Sequence, residues 1–222
     1  MATPLGPPLY RSPLLQLPGA VEATGIDAGT AWHYGDPIGE QRAAETGSAL
    51  FDRSNRSILT VSGPDRLTWL HTLTSQFLSS LADGDSTQAL VLSPQGHVEQ
   101  HFAVTELGEV TYLDTEPGAG SALAAYLDGM RFWSKVELAD ATADLAQLTL
   151  TGPRSLRVVE QVLRVTEPGI GRATAVPGGG FVRHTADGID VLIPRATLGQ
   201  VASAIVAAGA TPAGSWAADA LR

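Results

Sequence analysis

The sequence contains no cysteine in its 222 residues, and this absence excludes several kinds of chemistry. Without thiols the chain forms no disulfide, has no thiolate nucleophile, and holds no metal ion or iron–sulfur cluster through sulfur ligands. Basic residues are also scarce, with 14 Lys and Arg against 23 Asp and Glu, which gives a formal net charge of −9. This charge repels nucleic acid and anionic membranes, and no basic run offsets it. We therefore expect neither nucleic acid nor membrane as a partner.

Long apolar runs are missing as well. No stretch approaches the roughly 20 residues that a membrane-spanning helix needs, and the first residues lack the basic start and apolar run of a secretory signal. We therefore expect a cytoplasmic protein. Hydrophobic residues make up 44% of the chain and charged residues 17%, which lets a chain of this length bury one large core or two smaller ones.

Common catalytic and nucleotide-binding motifs are also missing. The chain has no GxSxG elbow, no P-loop and no GxGxxG, and we interpret the three glycines at 178–180 as a hairpin tip. His97, Glu99 and His101 alternate along a predicted strand and share one face, which is one way to hold a metal ion. An exposed polar strand face explains the same pattern, and we assign no metal ligand.

What the sequence does contain is a repeat. An apolar strand, a Gly-Pro pair and an amphipathic helix occur twice, and the order β-α-β-β-β-α follows each time, with turns too short for parallel crossovers. We place Pro64 and Pro153 at the first position of their helices. The predicted fold class is α+β, with two related subdomains of mainly antiparallel sheet and flanking helices. The predicted strands include residues 57–62, 86–92, 145–151 and 181–184.

We divide the chain into four parts. Residues 1–30 are rich in Pro, Gly and Ala and are expected to form an extended or poorly ordered arm. Residues 31–142 are predicted to form the first subdomain, which ends in a strand at 131–138, and residues 143–211 the second. Residues 212–222 begin a segment that returns to the first subdomain.

Four segments carry a family resemblance. They read FDRSNRSILTVSGPDRLTWLHTLTSQFLSSLADGDS, QALVLSPQGHVEQHFAV, YLDTEPGAGSALAAYLDGMRFWSKVELAD and LTLTGP. In sequence and order they resemble a folate-binding family with two branches. One branch is the aminomethyltransferase (T-protein) of the glycine cleavage system, and the other is the YgfZ-type proteins that support iron–sulfur cluster assembly and repair. The resemblance implies a folate-binding fold, with tetrahydrofolate or a folate derivative as the ligand.

Departures from the transferase pattern indicate the branch. Where transferases carry GGxxDD, with its acidic pair at the reactive end of the folate, this chain has Glu99 and Gln100. A neutral amide cannot do the electrostatic work of a carboxylate, so transfer chemistry is in doubt. RFWSKVELAD and SPQGHV resemble the YgfZ-type branch, which implies a protein that supports iron–sulfur clients and is not a catalyst by itself. The alternatives are a folate-dependent aminomethyltransferase-like enzyme of one-carbon metabolism and an interaction module without ligand.

The resemblance also implies ligand contacts. Transferases show GYTGEDGxE, whose last glutamate binds the N–H groups of the pteridine, and here RHTADGIDV places Asp190 at that position. A carboxylate suits a 2-aminopyrimidinone edge because it accepts two parallel donors. Glu99 and Gln100 are expected ligand contacts because they stand where transferases carry the acidic pair. Arg131 and Lys135 are expected contacts because their order in the sequence places them near the central channel of the family. For Asp190 the alternative is an outward-facing acid, and for the two basic residues it is surface salt bridges.

The end of the chain departs from the YgfZ-type pattern. The signature KGCYxGQE, with the prominent cysteine of that group, does not occur. SWAADALR resembles the opening of the LRxExGxP segment, so we expect the signature and a C-terminal barrel domain to follow in a longer protein. Arg222 matches the arginine of that opening, and Ala218 stands where transferases have a ligand-contacting arginine. In an interaction module, side chains such as Trp69 and Trp133 would fill the channel.

Overall fold

The computed structural model describes residues 10–221, whose strands form two large sheets and one two-stranded ribbon. The strands are β1 (Val21–Glu22), β2 (Ala31–His33), β3 (Ala49–Asp52), β4 (Ser57–Ser62), β5 (Ser86–Leu92), β6 (Val98–Leu107), β7 (Val110–Thr115), β8 (Glu137–Asp140), β9 (Leu145–Thr151), β10 (Arg172–Ala175), β11 (Phe181–His184), β12 (Ile189–Pro194) and β13 (Thr211–Ala213). The α-helices are α1 (Pro37–Thr46), α2 (Arg66–Leu73), α3 (Gly120–Gly129), α4 (Ser155–Leu163), α5 (Leu198–Ala207) and α6 (Ser215–Ala220).

The two large sheets repeat one topology. Their strand orders are β5-β6-β7-β4-β8 and β10-β11-β12-β9-β3-β13. In each sheet a three-stranded meander ends beside the strand that opens the repeat, which is β4 in the first half and β9 in the second. All pairings in these sheets are antiparallel except that of β13 with β3. The predicted α+β class with mainly antiparallel sheets is confirmed.

Each sheet packs one face against helices. Leu148 and Leu150 of β9 belong to an apolar cluster with side chains of α4 and α5. Phe102 and Leu113 of the five-stranded sheet pack in the same way with side chains of α2 and α3. Because strand residues alternate between faces, the residues in between point toward the opposite sheet. The helices therefore lie on the outside, and the inner faces of the two sheets meet.

The inner faces are apolar at one end only. Ile58 of β4 joins a buried cluster with Phe181 of β11 and Leu192 of β12. The rings of Tyr112 and Phe181 also meet across the sheets, with centroids 5.0 Å apart. Beyond this contact the facing residues are mostly polar, which leaves a polar space between the sheets.

The two Gly-Pro pairs form turns that precede the helices. Gly63 and Gly152 have φ angles of 104° and 117°, which favour glycine. The N–H of Arg66 donates to the carbonyl of Gly63 at 3.3 Å, and that of Ser155 to the carbonyl of Gly152 at 3.0 Å. The helices therefore begin two residues after each proline, and the prediction that the prolines occupy the first helical position was wrong.

Gly152→Ala should destabilise the protein more than Gly96→Ala. Both glycines have positive φ, and a Cβ there costs about 1–2 kcal/mol. At Gly152 the Cβ would also lie 2.6 Å from the carbonyl oxygen of Gly47 and 2.7 Å from that of Ala44, whereas at Gly96 it meets no atom of the described residues within 4 Å. We expect a loss of about 3 kcal/mol or more at Gly152 and about 1 kcal/mol at Gly96, measured by urea unfolding. Equal losses would contradict this account of the turn.

Residues 10–30 differ from the predicted arm because they pack on the body. They contain 3-10 helices at Pro13–Gln16 and Gly25–Asp27 as well as β1. Leu14 is buried in the cluster beneath α5, which gives the segment a hydrophobic anchor. Tyr10 donates to Ser54 Oγ at 2.8 Å. Residues 1–9 and Arg222, which the predictions also covered, lie outside the described residues.

Two further segments differ from the sequence prediction. β3 lies within the predicted first subdomain, yet it pairs with β9 of the second half and with β13, while α6 packs against α1.

The strand predicted at 131–138 begins only at Glu137. The preceding residues form turns, since Ser134 N–H donates to the Arg131 carbonyl at 2.9 Å and Phe132 has a φ of 41°.

Candidate functional site

A cleft of about 920 Å³ lies between the inner faces of the two sheets. Side chains of both sheets line it. The six-stranded sheet contributes Phe51, Gln147, Thr149, Thr151, Arg183 and Asp190, and the five-stranded sheet contributes Ser86, Thr87, Gln88, His101, Ala103 and Asp114. The lining is rich in polar side chains.

Arg183 of β11 connects the two sheets inside the protein. It is only 1% exposed. Its Nη1 and Nη2 donate to the two carboxylate oxygens of Asp114 on β7, at 2.6 and 2.9 Å. Its Nε and Nη2 donate to Oδ2 of Asp190 on β12, at 2.9 and 2.7 Å, and Nη1 also donates to Thr105 Oγ1 at 3.2 Å. These five bonds match the five N–H groups of a guanidinium. We call Asp114, Arg183 and Asp190 the carboxylate clamp.

The strand register assembles this clamp. Arg183 stands directly opposite Asp190 in the pairing of β11 with β12, and Asp190 stands opposite Thr149 in the pairing of β12 with β9. Directly opposed residues share one face of a sheet and lie close enough for side-chain contact. Thr149 Oγ1 accordingly donates to Asp190 Oδ1 at 2.7 Å.

The clamp keeps Asp190 and Arg183 in their charged forms. Burial alone would raise the pKa of Asp190, but the Arg183 guanidinium and the Thr149 hydroxyl hold that pKa below its ordinary value. Burial alone would lower the pKa of Arg183, but the carboxylates of Asp114 and Asp190 raise it. Asp190 is thus an ionised, nearly buried carboxylate whose charge Arg183 compensates.

Arg56 adds a second guanidinium to the cleft wall. Its Nη1 donates to Glu116 Oε1 at 2.9 Å, and its Nε lies 3.5 Å from Asp114 Oδ2. That Nε is buried and has no hydrogen-bond partner in residues 10–221. The cleft wall therefore holds a second cation beside Asp114.

The predicted contacts on β6 lie away from the cleft lining, in contrast to Asp190. Glu99 is exposed and Gln100 is partly exposed, and neither lines the cleft. The register explains this placement, because Val91 pairs with Gln100 while Leu92 pairs with Val98. Glu99 is therefore the extra residue of a β-bulge, which redirects side chains locally.

The predicted basic contacts and the two tryptophans also lie outside the cleft lining. Arg131 is near Asp128, with the closest N and O atoms 3.7 Å apart. The backbone N–H of Lys135 donates to an Asp65 carboxylate oxygen at 2.7 Å. Trp69 is buried in the core with α3, and the side chain of Trp133 is almost fully exposed at 96%.

His97, Glu99 and His101 do not form a metal-binding group among the described residues. Within residues 10–221 no group of three or more His, Cys, Asp or Glu side chains is placed to hold a metal ion. His101 Nε2 instead lies 2.9 Å from Gln88 Oε1. In the same part of the chain, none of the helices combines the length and apolar character needed to cross a membrane.

Sequence reasoning missed Arg183 and Gln147. An arginine in the apolar strand FVRH was the available signal for Arg183, because a buried strand holds a charge only when that charge is paired. Gln147 gave a similar signal in LAQLTL. In both cases the partners lie on other strands, so the sequence pattern alone did not identify a site.

Fold and site define an α+β protein in which two repeat-related sheets enclose a polar cleft of ligand size. The family described as GCVT N-terminal domain matches residues 30–222, and the chain belongs to this family.

Named relatives agree with this assignment. An aminomethyltransferase of Rubrobacter xylanophilus is 28% identical over 227 residues, which cover 96% of this chain and 61% of the relative. One of Herpetosiphon aurantiacus is 26% identical over 200 residues, covering 85% and 55%. The chain thus spans little more than half the length of these curated relatives.

Solved structures share the fold. The glycine cleavage system aminomethyltransferase T from Bartonella henselae superimposes with a TM-score of 0.86 at 20% identity, over 96% of this chain and 62% of that protein. A chain of heterotetrameric sarcosine oxidase from Corynebacterium sp. U-96 gives a TM-score of 0.57 at 19% identity, over 78% and 91%. At these identities the likeness concerns the fold alone.

Arg183→Met should destabilise the protein strongly. The change removes the nearest cation of both buried carboxylates, Asp114 and Asp190, and removal of one partner from a buried ion pair typically costs about 3–5 kcal/mol. Arg157→Met, on the exposed face of α4, is the matched control and should change stability by less than about 0.5 kcal/mol. Urea unfolding of both variants measures the difference. Similar stability of the two variants would show that the clamp does not hold the sheets together.

Proposed function

We propose that the cleft binds tetrahydrofolate or a folate derivative, and that the protein supports iron–sulfur cluster assembly or repair as the YgfZ-type branch does. One observation carries the proposal. An ionised carboxylate, Asp190, lines a cleft between the two halves of a GCVT-type fold, at the position where the family resemblance expects the pteridine contact. The cleft volume of about 920 Å³ falls within the common range of roughly 300–1,000 Å³ for small-molecule sites.

The donors and acceptors around Asp190 suit one further hydrogen bond. Each carboxylate oxygen has about two acceptor positions. Oδ2 already accepts two N–H groups of Arg183, whereas the Thr149 hydroxyl is the only donor to Oδ1 among the described residues. Asp190 would therefore accept one N–H of the pteridine through Oδ1 while the clamp stays intact. A contact with two parallel donors, as expected from the sequence, would require Arg183 to move.

The charges in the cleft favour binding over aminomethyl transfer. A transferase needs negative charge where positive charge develops on the transferred group. Asp114 and Asp190 both pair with Arg183, and Arg56 also lies beside Asp114, so each of the two carboxylates has a cationic partner. Glu99, which the sequence aligns with the transferase acidic pair, is exposed outside the cleft lining, and Gln100 is neutral. These features support a folate-binding protein that is not a catalyst by itself.

Aminomethyl transfer remains the second candidate because the curated relatives are named aminomethyltransferases. The two candidates differ in product. Incubation of the full-length protein with an aminomethylated lipoyl carrier and tetrahydrofolate should yield no methylenetetrahydrofolate, and its formation would favour the enzyme.

The third possibility, an interaction module without ligand, receives less support. Trp69 and Trp133 leave the cleft open, since one packs in the core and the other lies on the surface.

Isothermal titration calorimetry with 5-formyltetrahydrofolate tests the binding. The wild-type protein should bind, and Asp190→Asn should bind at least about tenfold more weakly, because a hydrogen bond to a charged group contributes about 1.5–3 kcal/mol. Asp128→Asn, an exposed change on α3, serves as the control with unchanged affinity. Circular dichroism confirms that each variant is folded at the titration temperature. No binding by wild type, or equal affinity of wild type and Asp190→Asn, would contradict the assignment.

A further inference from the structure

Gln147 is a buried residue of the cleft, and its side-chain amide oxygen has no partner within residues 10–221. The residue lies on β9, lines the cleft and is only 3% exposed. Its Oε1 is buried and has no hydrogen bond to any residue in the described part of the chain. The backbone around it is regular, since the Gln147 carbonyl accepts from Arg53 N–H at 3.1 Å and the residue pairs with Leu192 of β12. A distorted strand therefore does not account for the unpaired oxygen.

The other glutamines of the cleft do have partners. Gln76 Nε2 donates to Thr87 Oγ1 at 2.8 Å, and Gln88 Oε1 lies 2.9 Å from His101 Nε2. Both form these contacts within the cleft wall. Because buried polar groups in folded proteins are nearly always hydrogen-bonded, the Gln147 oxygen, unpaired within residues 10–221, favours a role as an acceptor for a bound ligand.

Gln147 and Asp190 stand on the same face of the six-stranded sheet. Asp190 lies opposite Thr149, which is two residues along β9 from Gln147. Two residues along a strand span roughly 7 Å, a distance on the scale of a bicyclic ring. Gln147 supplies a neutral acceptor and Asp190 a charged one, so a ring between them would meet acceptors at two points.

We propose that Gln147 is a specificity-determining residue of the cleft, and that its Oε1 accepts an N–H group of the pterin ring. The proposal rests on the proposed folate binding. A buried acceptor selects ligands that carry a donor at the matching position, because a ligand without that donor leaves the acceptor unpaired. Gln147 would thus discriminate among pterins by their ring N–H groups, without adding charge to the cleft.

The test replaces Gln147 by an apolar side chain of similar length. Gln147→Met should weaken binding of 5-formyltetrahydrofolate about tenfold in calorimetry, because one ligand hydrogen bond is lost. It should leave the melting temperature of the ligand-free protein unchanged or raise it, because the unpaired buried oxygen is removed. Gln161→Met, the same change on the exposed face of α4, should alter neither quantity.

The outcomes separate this inference from the folate assignment. If wild type binds 5-formyltetrahydrofolate and Gln147→Met binds it equally well, the role of Gln147 is overturned and the proposed function stands. If Gln147→Met lowers the melting temperature of the free protein, the amide has a structural partner, which also overturns the inference. If wild type does not bind, the proposed function fails, and the pterin contact of Gln147 fails with it.

Discussion

Arg183 pairs with one carboxylate from each sheet, and this buried ion cluster determines how the two halves of the protein meet. Asp114 belongs to the five-stranded sheet and Asp190 to the six-stranded sheet, so one guanidinium with five hydrogen bonds joins them. A buried charge is tolerated only when it is paired and hydrogen-bonded. The clamp meets this condition, and it fixes the spacing of the sheets at the polar end of their interface. The cleft follows from that spacing.

The same cluster shapes the chemistry of the cleft. Because Arg183 binds both Asp114 and Asp190 and Arg56 lies beside Asp114, each clamp carboxylate has a cationic partner and the site offers directed hydrogen bonds. That arrangement suits recognition of a polar ring better than stabilisation of a developing cation. The outer faces of the sheets, packed on α2 to α5, supply the hydrophobic stability. This division leaves the inner faces free to carry polar residues at the end where the clamp lies.

The sequence predicted the local elements well and the long-range contacts poorly. The strands at 57–62, 86–92, 145–151 and 181–184 have the predicted bounds because apolar alternation and Gly-containing turns are local signals. β3 was assigned to the first half because nothing local shows that it pairs with β9 and β13. Residues 131–136 were predicted as part of a strand, whereas backbone hydrogen bonds close turns there and Phe132 has a positive φ. Asp190 was found through family resemblance, whereas its binding to Arg183 depends on strand order that periodicity does not encode.

The most direct test of this account is a crystal structure of the protein with 5-formyltetrahydrofolate. We expect the pterin ring in the cleft between the two sheets, with one N–H within hydrogen-bond distance of Asp190 Oδ1 and another near Gln147. Arg183 should still bridge Asp114 and Asp190. A ligand bound outside the cleft, or a bound ligand that displaces Arg183 from both carboxylates, would contradict the central claim that the clamp builds the site.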